Sequence, residues 1–239
     1  MDLRGQTALV TGGAKRLGAA LCAALAAEGC NVVIHYKRSG RAAADLAARL
    51  RASGAKAWTV AGDFQKPSFA EDLVRRALAA SGKLDILINN AAIFDKQRLS
   101  RITAAAARAE WEVNLLAPLL IIQAFSRQVA RARVINLLDT RIASNRADAV
   151  PYSLAKKSLA DLTRLAALEL APRITVNAVA PGPVLIADAP GAARERAGPL
   201  PLKIRPTVRD VVQAALFLLK SEAITGQIIF VDSGRHLAG

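Results

Sequence analysis

The stretch Thr11-Gly12-Gly13-Ala14-Lys15-Arg16-Leu17-Gly18 limits what this chain can fold into more than any other part of it. It follows the apolar run Ala8-Leu9-Val10 and precedes an Ala/Leu-rich segment from Ala19 to Ala27, so the order reads as strand, tight turn, helix. Gly12 and Gly13 lack a Cβ and can take positive φ, which lets the backbone come close to a ligand. The helix that follows turns its unpaired N–H groups and positive dipole end toward the turn. A pyrophosphate suits such a place. Glycine turns also occur in βα units that bind nothing, so the remainder of the chain decides.

Strand and helix patterns alternate along that remainder. Short β-rich apolar runs lie at Ala8–Thr11, Asn31–His35, Lys56–Val60, Leu84–Asn89, Arg133–Leu138, Ile174–Ala178 and Gln227–Val231. Helical period and good helix formers mark Leu17–Glu28, Ala42–Ala52, Phe69–Ala80, Ala104–Val129, Tyr152–Leu170 and Val208–Leu219. This alternation predicts a Rossmann-type α/β fold: a doubly wound sheet of seven mostly parallel strands with helices on both faces. No linker or repeat marks a second unit, so one dinucleotide-binding domain over residues 1–239 is expected. Ligands of such sheets bind beyond the carboxyl ends of the strands, where strand order reverses.

Composition narrows the partners. The formal charge of +14, from 33 Lys and Arg against 19 Asp and Glu, raises nucleic acid as a partner. The basic residues are scattered, however, without aromatic interleaving or a recognisable binding module, and anionic small molecules fit them better. Cys22 and Cys30 form neither a disulfide framework nor a metal pattern; both read as packing residues of a reducing compartment. Leu115–Phe125, bracketed by Asn114 and Arg127 and containing Pro118, is too short to span a bilayer. Strand-like sequence begins almost at once, without a secretory signal. The expectation is a cytoplasmic protein with a small-molecule substrate, no membrane and no metal.

The residues beyond each strand carry the chemistry. After the second strand comes His35-Tyr36-Lys37-Arg38-Ser39, where an enzyme for unphosphorylated NAD usually carries a carboxylate. Lys37, Arg38 and Ser39, with Arg16 in the facing turn, suit a 2′-phosphate instead, and hence NADPH. Asp63 can accept from an adenine amino group or cap a local turn, with Phe64 beside it. Asn89 and Asn90 can tie strand ends together, and Ala91 and Ala92 leave room for a flat ring. Phe94 stacks on a planar substrate or belongs to the core. Asn114, four residues before Pro118, can bond freed backbone or hold a water. Asp139 ends the fifth strand, and Tyr152 and Lys156, four apart, share one face of the next helix. An ammonium beside the phenol favours phenolate, so the tyrosine pKa is expected to fall from near 10 toward the working range, unless the two are an ordinary surface pair. Pro181 and Gly182 follow the sixth strand, and the Pro, Ala and Gly-rich loop from Val184 to Arg205, which includes Leu185, reads as a mobile cover.

Together these motifs resemble the classical short-chain dehydrogenase/reductase family over essentially the whole chain. The resemblance rests on Thr11-Gly12…Gly18, Asn89-Asn90-Ala91, Asn114, Tyr152…Lys156, Pro181-Gly182 and Val231-Asp232. It implies hydride transfer from a nicotinamide, Tyr152 as proton donor, Lys156 as its tuner and Asn114 in a proton relay. It also implies a homotetramer, with contacts around Leu115–Arg131 and Tyr152–Leu170.

Two departures point further. Arg16 replaces the family's middle glycine, and Asp139 its catalytic serine. Both look like the substitutions of pteridine reductases, to which Lys15-Arg16-Leu17-Gly18, His35-Tyr36…Arg38-Ser39 and Phe94 are also similar. By that resemblance Phe94 and the nicotinamide would sandwich a pterin ring, Arg16 would approach substrate and cofactor phosphates, Asp139 and Tyr152 would serve protonation, and Leu185 would face the substrate. An ionised Asp cannot donate to a carbonyl oxygen as Ser does. A pterin nitrogen, by contrast, needs a proton as hydride reaches the adjacent carbon. Ala92 stands where pteridine reductases often have Ser, and the covering loop is comparatively short. The expected function is NADPH-dependent reduction of a pterin or folate-like ring. A general NADPH-dependent carbonyl reductase and a non-enzymatic NADPH-binding sensor or scaffold are the competing readings; Tyr152, Lys156 and Asn114 oppose the last.

Overall fold

The computed structural model describes residues 2–66, 68–184 and 200–238. Its strands are β1 (Thr7–Val10), β2 (Asn31–Tyr36), β3 (Ala57–Ala61), β4 (Ile86–Asn89), β5 (Ala132–Leu137), β6 (Ile174–Pro181) and β7 (Ile228–Val231). They form one seven-stranded sheet in the order β3-β2-β1-β4-β5-β6-β7. Every pairing is parallel. The strands agree with the sequence expectation apart from small shifts at their ends.

Parallel strands covered on both faces bury alternate side chains in two cores. Ala8 and Val10 of β1, Val32 and Ile34 of β2, and Ile86 and Ile88 of β4 face one core. That core is completed by α1 (Arg16–Ala27), α2 (Gly40–Ala52) and α7 (Val208–Lys220). Leu9, Val33 and Leu87 face the other, against α3 (Phe69–Ser81), α5 (Ala117–Ser126) and α6 (Val150–Leu170). Cys22 and Cys30 are buried free thiols, both held protonated by burial, which pushes Cys30 up to about 12. The chain winds outward from β1 to β3, then crosses back to place β4 on the other side of β1. Strand order therefore reverses between β1 and β4, and a crevice opens above their carboxyl ends.

One expectation needs correction. The segment 104–129 is not a single helix: α4 (Ala104–Trp111) runs into a π turn at Glu112–Leu116 before α5 begins. Pro118 has no N–H to donate to the carbonyl of Asn114, and its ring crowds that carbonyl. The helix widens there instead, with the Ala117 N–H reaching back to the Glu112 carbonyl. Asn114 sits in this widened turn and is fully buried.

A line of polar side chains crosses the core beneath the crevice. Asn89 Nδ2 donates to Asn136 Oδ1 at 2.9 Å, and Asn136 Nδ2 donates to Thr163 Oγ1 at 2.9 Å. The Thr163 hydroxyl donates in turn to the Leu159 carbonyl at 2.8 Å, which ties β4 and β5 to α6. Replacing Thr163 by Val keeps the shape but leaves the Asn136 amide without an acceptor. The variant is expected to lose about 1–3 kcal/mol of stability, read as a lower urea midpoint at unchanged slope.

Candidate active site

The carboxyl end of β1 is fastened to that of β4 by side chains. Thr11 Oγ1 accepts the N–H groups of Asn90 at 2.9 Å and Ala91 at 3.1 Å, and its hydroxyl donates to the Ile88 carbonyl at 3.3 Å. Asn90 Nδ2 donates back to the carbonyls of Thr11 at 2.9 Å and Gly12 at 3.1 Å. Gly12 has φ 61°, which glycine adopts freely. A Cβ on Gly18 would come 2.7 Å from Asn90 Nδ2 and strike the Gly12 carbonyl, so α1 can start this close to β4 only with glycine there. Arg16 also lies in the left-handed region, at φ 51°, a conformation that favours glycine.

His35 braces the turn from the other side. Its Nδ1 accepts the Gly12 N–H at 3.1 Å, so Nε2 carries the proton and donates to the Gly62 carbonyl at 3.3 Å. Phe64 stacks on the imidazole at 4.8 Å. Burial pushes the His35 pKa down to about 4 and keeps the ring neutral. His35 thus shapes the turn rather than offering a positive charge to a phosphate.

Beside the turn lies a cleft of about 410 Å³. Gly12, Lys15, Arg16, Leu17, Gly18, His35, Lys37, Asp63, Phe64, Asn90 and Ala91 form its wall, together with Ile93 and Val113. The other residues expected at the cofactor after β2, Tyr36, Arg38 and Ser39, lie outside this wall. Arg38 is exposed, Ser39 stands at the N-cap position of α2 without a side-chain capping bond, and the Tyr36 ring lies against Gly40. Lys37 reaches Asp63 at 2.8 Å and Gln65 at 3.1 Å, and Lys37 holds the Asp63 carboxyl below its ordinary range. Asp63 also accepts the Gln65 N–H at 3.1 Å, so it caps a local turn as well as facing the cleft.

A second cavity, of about 240 Å³, is lined by Phe94, Asp139, Arg141, Tyr152 and Gly182, with Thr140, Arg146, Pro183 and Arg235. Asp139 Oδ2 accepts from the Tyr152 hydroxyl at 3.1 Å, and Oδ1 accepts the Arg141 N–H at 2.8 Å. Burial raises the Asp139 pKa, favouring its protonated form. Lys156 donates to the Leu137 carbonyl at 2.7 Å, with its ammonium 5.8 Å from the Tyr152 ring centre. The expected lowering of the tyrosine pKa is not found within the protein: burial first, then Asp139, hold the phenol well above 10. Burial acts on Lys156 as well and pushes it down to about 8 against the pull of Asp139 and Glu110.

Phe94 faces this cavity rather than the core. It is 45% exposed and meets Tyr152 edge-on, with ring centres 4.7 Å apart and planes at 75°. The Arg141 guanidinium lies 5.2 Å from the Phe94 ring centre and is held by Asp148 at 2.6 and 3.2 Å. Asn114 binds backbone, but that of the loop after β4: Oδ1 accepts the Ile93 N–H at 3.2 Å, and Nδ2 donates to the Ile93 carbonyl at 2.9 Å. Pro181 ends β6, while Leu185 and residues 186–199 of the expected cover lie outside the described residues.

Among the residues of this site that the sequence does not announce are Glu110 and Arg141. Glu110 is buried and bonds Asn114 at 2.5 Å. Its i,i+4 spacing from Asn114 on a helix is a signal that could have found it. Arg141 and Asp148 meet through a loop, and no local pattern announces that pairing.

A glycine turn at a topological switch point, with a Tyr/Lys pair above the next strands, defines a dinucleotide-dependent oxidoreductase. The short chain dehydrogenase family model matches residues 6–197, and the chain belongs to that family. It is 35% identical to pteridine reductase 1 of Leishmania tarentolae, over 96% of this chain and 96% of that protein. It is 30% identical to the 3-oxoacyl-[acyl-carrier-protein] reductase FabG of Staphylococcus epidermidis, over 97% and 99%. The crystal structure of FolM alternative dihydrofolate reductase 1 from Brucella canis, complexed with NADP, superimposes with a TM-score of 0.92 at 32% identity, covering 100% of this chain and 97% of that one.

Because His35 stays neutral until about pH 4 but titrates near 6.5 when unfolded, folding stability falls as pH drops through that window. The shift corresponds to about 3 kcal/mol at its limit. Urea unfolding from pH 7 to 4 is expected to show a flatter acid dependence for His35→Gln than for the wild type.

Proposed function

We propose that the protein is an NADPH-dependent reductase of a pterin or folate-like ring, one dinucleotide-binding domain acting in the cytoplasm. The observation that carries this reading is the grouping of Phe94, Asp139 and Tyr152 on one cavity, with Phe94 following directly on Ile93 of the cleft wall. The residues of the cleft suit the cofactor. Gly12 and Gly18 line the cleft where packing against Ala91, Asn90 and the Gly12 carbonyl leaves no room for a Cβ, so backbone faces the cleft there, and Lys15, Arg16 and Lys37 supply positive charge around it. In this reading Gly12, Leu17, Gly18, Asn90 and Ala91 hold the dinucleotide backbone, and Asp63 and Phe64 border the adenine end. Arg16 and Lys37 favour the 2′-phosphate, with Arg38 and Ser39 close by in sequence. The name of the Brucella relative's complex supports the phosphorylated cofactor.

When bound, reduced nicotinamide supplies hydride. The chain's own residues supply the proton and the orientation. The Tyr152 proton is directed at Asp139, not into open solvent, so the two act as one acid. With its carboxyl raised by burial, Asp139 is suited to give a proton to a ring nitrogen and unsuited to the serine's role of polarising a carbonyl. Lys156, anchored on the Leu137 carbonyl, orients the ribose side and balances the carboxylates; Asn114 keeps the loop at Ile93 in register. Phe94 forms an aromatic wall for a flat ring.

Asp139→Ser is the decisive variant. It is expected to lower kcat/KM for dihydrobiopterin, dihydromonapterin or dihydrofolate by about 10²-fold or more, while the NADPH Kd stays within about threefold. Good turnover of ketones with none across the pterin panel rejects the ring assignment in favour of a carbonyl reductase.

We also propose a homotetramer. Leu116 at the end of the π turn, Leu119 on α5 and Leu154, Leu165 and Leu168 on α6 are exposed apolar side chains in the segments expected at subunit contacts. Light scattering after chromatography is expected to show a smaller particle for Leu165→Asp/Leu168→Asp than for the wild type; an unchanged tetramer would place the contacts elsewhere.

A further inference from the structure

Phe94 lies in residues 90–98, a stretch without helix or strand, so its backbone is placed by what grips it to either side, while Tyr152 and Arg141 meet the ring itself. On one side Asn114 takes both polar groups of Ile93, accepting the N–H at 3.2 Å and donating to the carbonyl at 2.9 Å. On the other, Glu110 Oε1 accepts the Asp95 N–H at 2.6 Å. The second carboxylate oxygen, Oε2, accepts from Asn114 Nδ2 at 2.5 Å. One side chain therefore joins the two grips, and the residue between them is Phe94.

The chemistry of the joint is specific. A buried acid is costly unless its oxygens are hydrogen-bonded. Glu110 is 3% exposed, and burial raises its pKa. Both of its partners are N–H donors, and only a carboxyl group presents an acceptor oxygen to each. Glutamine has one such oxygen and would turn an amide donor toward the other partner.

We propose that Glu110 is a positioning residue for substrate selection: by clamping the backbone on both sides of Phe94 it fixes the aromatic wall of the cavity that holds Asp139 and Tyr152, favouring flat ring substrates over small carbonyl compounds. The substrate half of this proposal rests on the ring-reductase reading, whereas the clamp itself does not.

Crystal structures and steady-state kinetics of the wild type, Glu110→Gln, Glu110→Ala, Phe94→Ala and the Glu110→Ala/Phe94→Ala double variant test it. In Glu110→Ala the Phe94 ring is expected to leave its edge contact with Tyr152. The KM for dihydrobiopterin should rise about tenfold, less in Glu110→Gln, with the NADPH KM within about twofold of wild type. Once Phe94 is alanine, removing Glu110 should add little, because both changes act on the same wall. A ring that keeps its place in both Glu110 variants overturns the clamp. So does a loss confined to kcat that adds in full to Phe94→Ala, which would route Glu110 through Asn114 and Lys156 instead. Glu110→Gln, nearly equal in size, carries the same comparisons if the alanine variant does not fold. A wild type inactive on dihydropterins rejects the ring-reductase reading and the selection built on it, while the ring position in the variant crystals still decides the clamp.

Discussion

Just past β1 the Gly12 N–H and the carbonyls of Thr11 and Gly12 meet side chains and not a neighbouring strand, and a buried amide or carbonyl without a partner is costly. Thr11, Asn90 and His35 meet that demand with side chains, and the rest of the site is placed by how they do it. The Thr11–Asn90 exchange sets the spacing of β1 and β4, and with it the width of the crevice. The His35 bond to the Gly12 amide holds the turn open on the opposite side. Given that frame, α1 must begin within contact distance of Asn90, which leaves no room for a side chain at position 18.

Beyond the frame, the site is a contest between burial and charge. Asp139, Glu110 and Lys156 all stand away from ordinary solution behaviour because each is removed from water. Both acids move toward neutrality and so does the base. The Tyr152 hydroxyl donates a hydrogen bond to the nearest Asp139 oxygen, and burial first, then that acid, make the phenol harder to ionise. A Tyr/Lys pair considered in isolation leads to the opposite expectation, since the helical spacing records the nearby cation but not the depth of burial or the acid thirteen residues upstream.

What the sequence made legible follows from what is local. Parallel strands buried on two faces leave short apolar runs, and their helices leave a period, so all seven strands could be read with small errors at their ends. The turn, the Tyr152–Lys156 pair and the acid at the end of β5 stood out for the same reason. The break between α4 and α5 was harder: Pro118 was visible, but a widened turn that swallows Asn114 without ending the helical run has no distinct pattern. Arg141 was not legible at all, because it meets Asp148 and the face of Phe94 through a loop. The cofactor roles expected of Tyr36, Arg38 and Ser39 came from position along the chain, and of these neighbours of Lys37 none lines the cleft.

The left-handed backbone at Arg16 sets two requirements of this chain against each other. An L-residue other than glycine is disfavoured there by roughly 1–2 kcal/mol, partly offset by the greater freedom glycine has when unfolded. Heat resistance alone would push position 16 toward glycine, and the cleft would then lose a cation from its wall. Thermal hardening and the charge of the cleft thus compete for a single side chain, and a variant engineered for endurance would have to rebuild that charge from a neighbouring position.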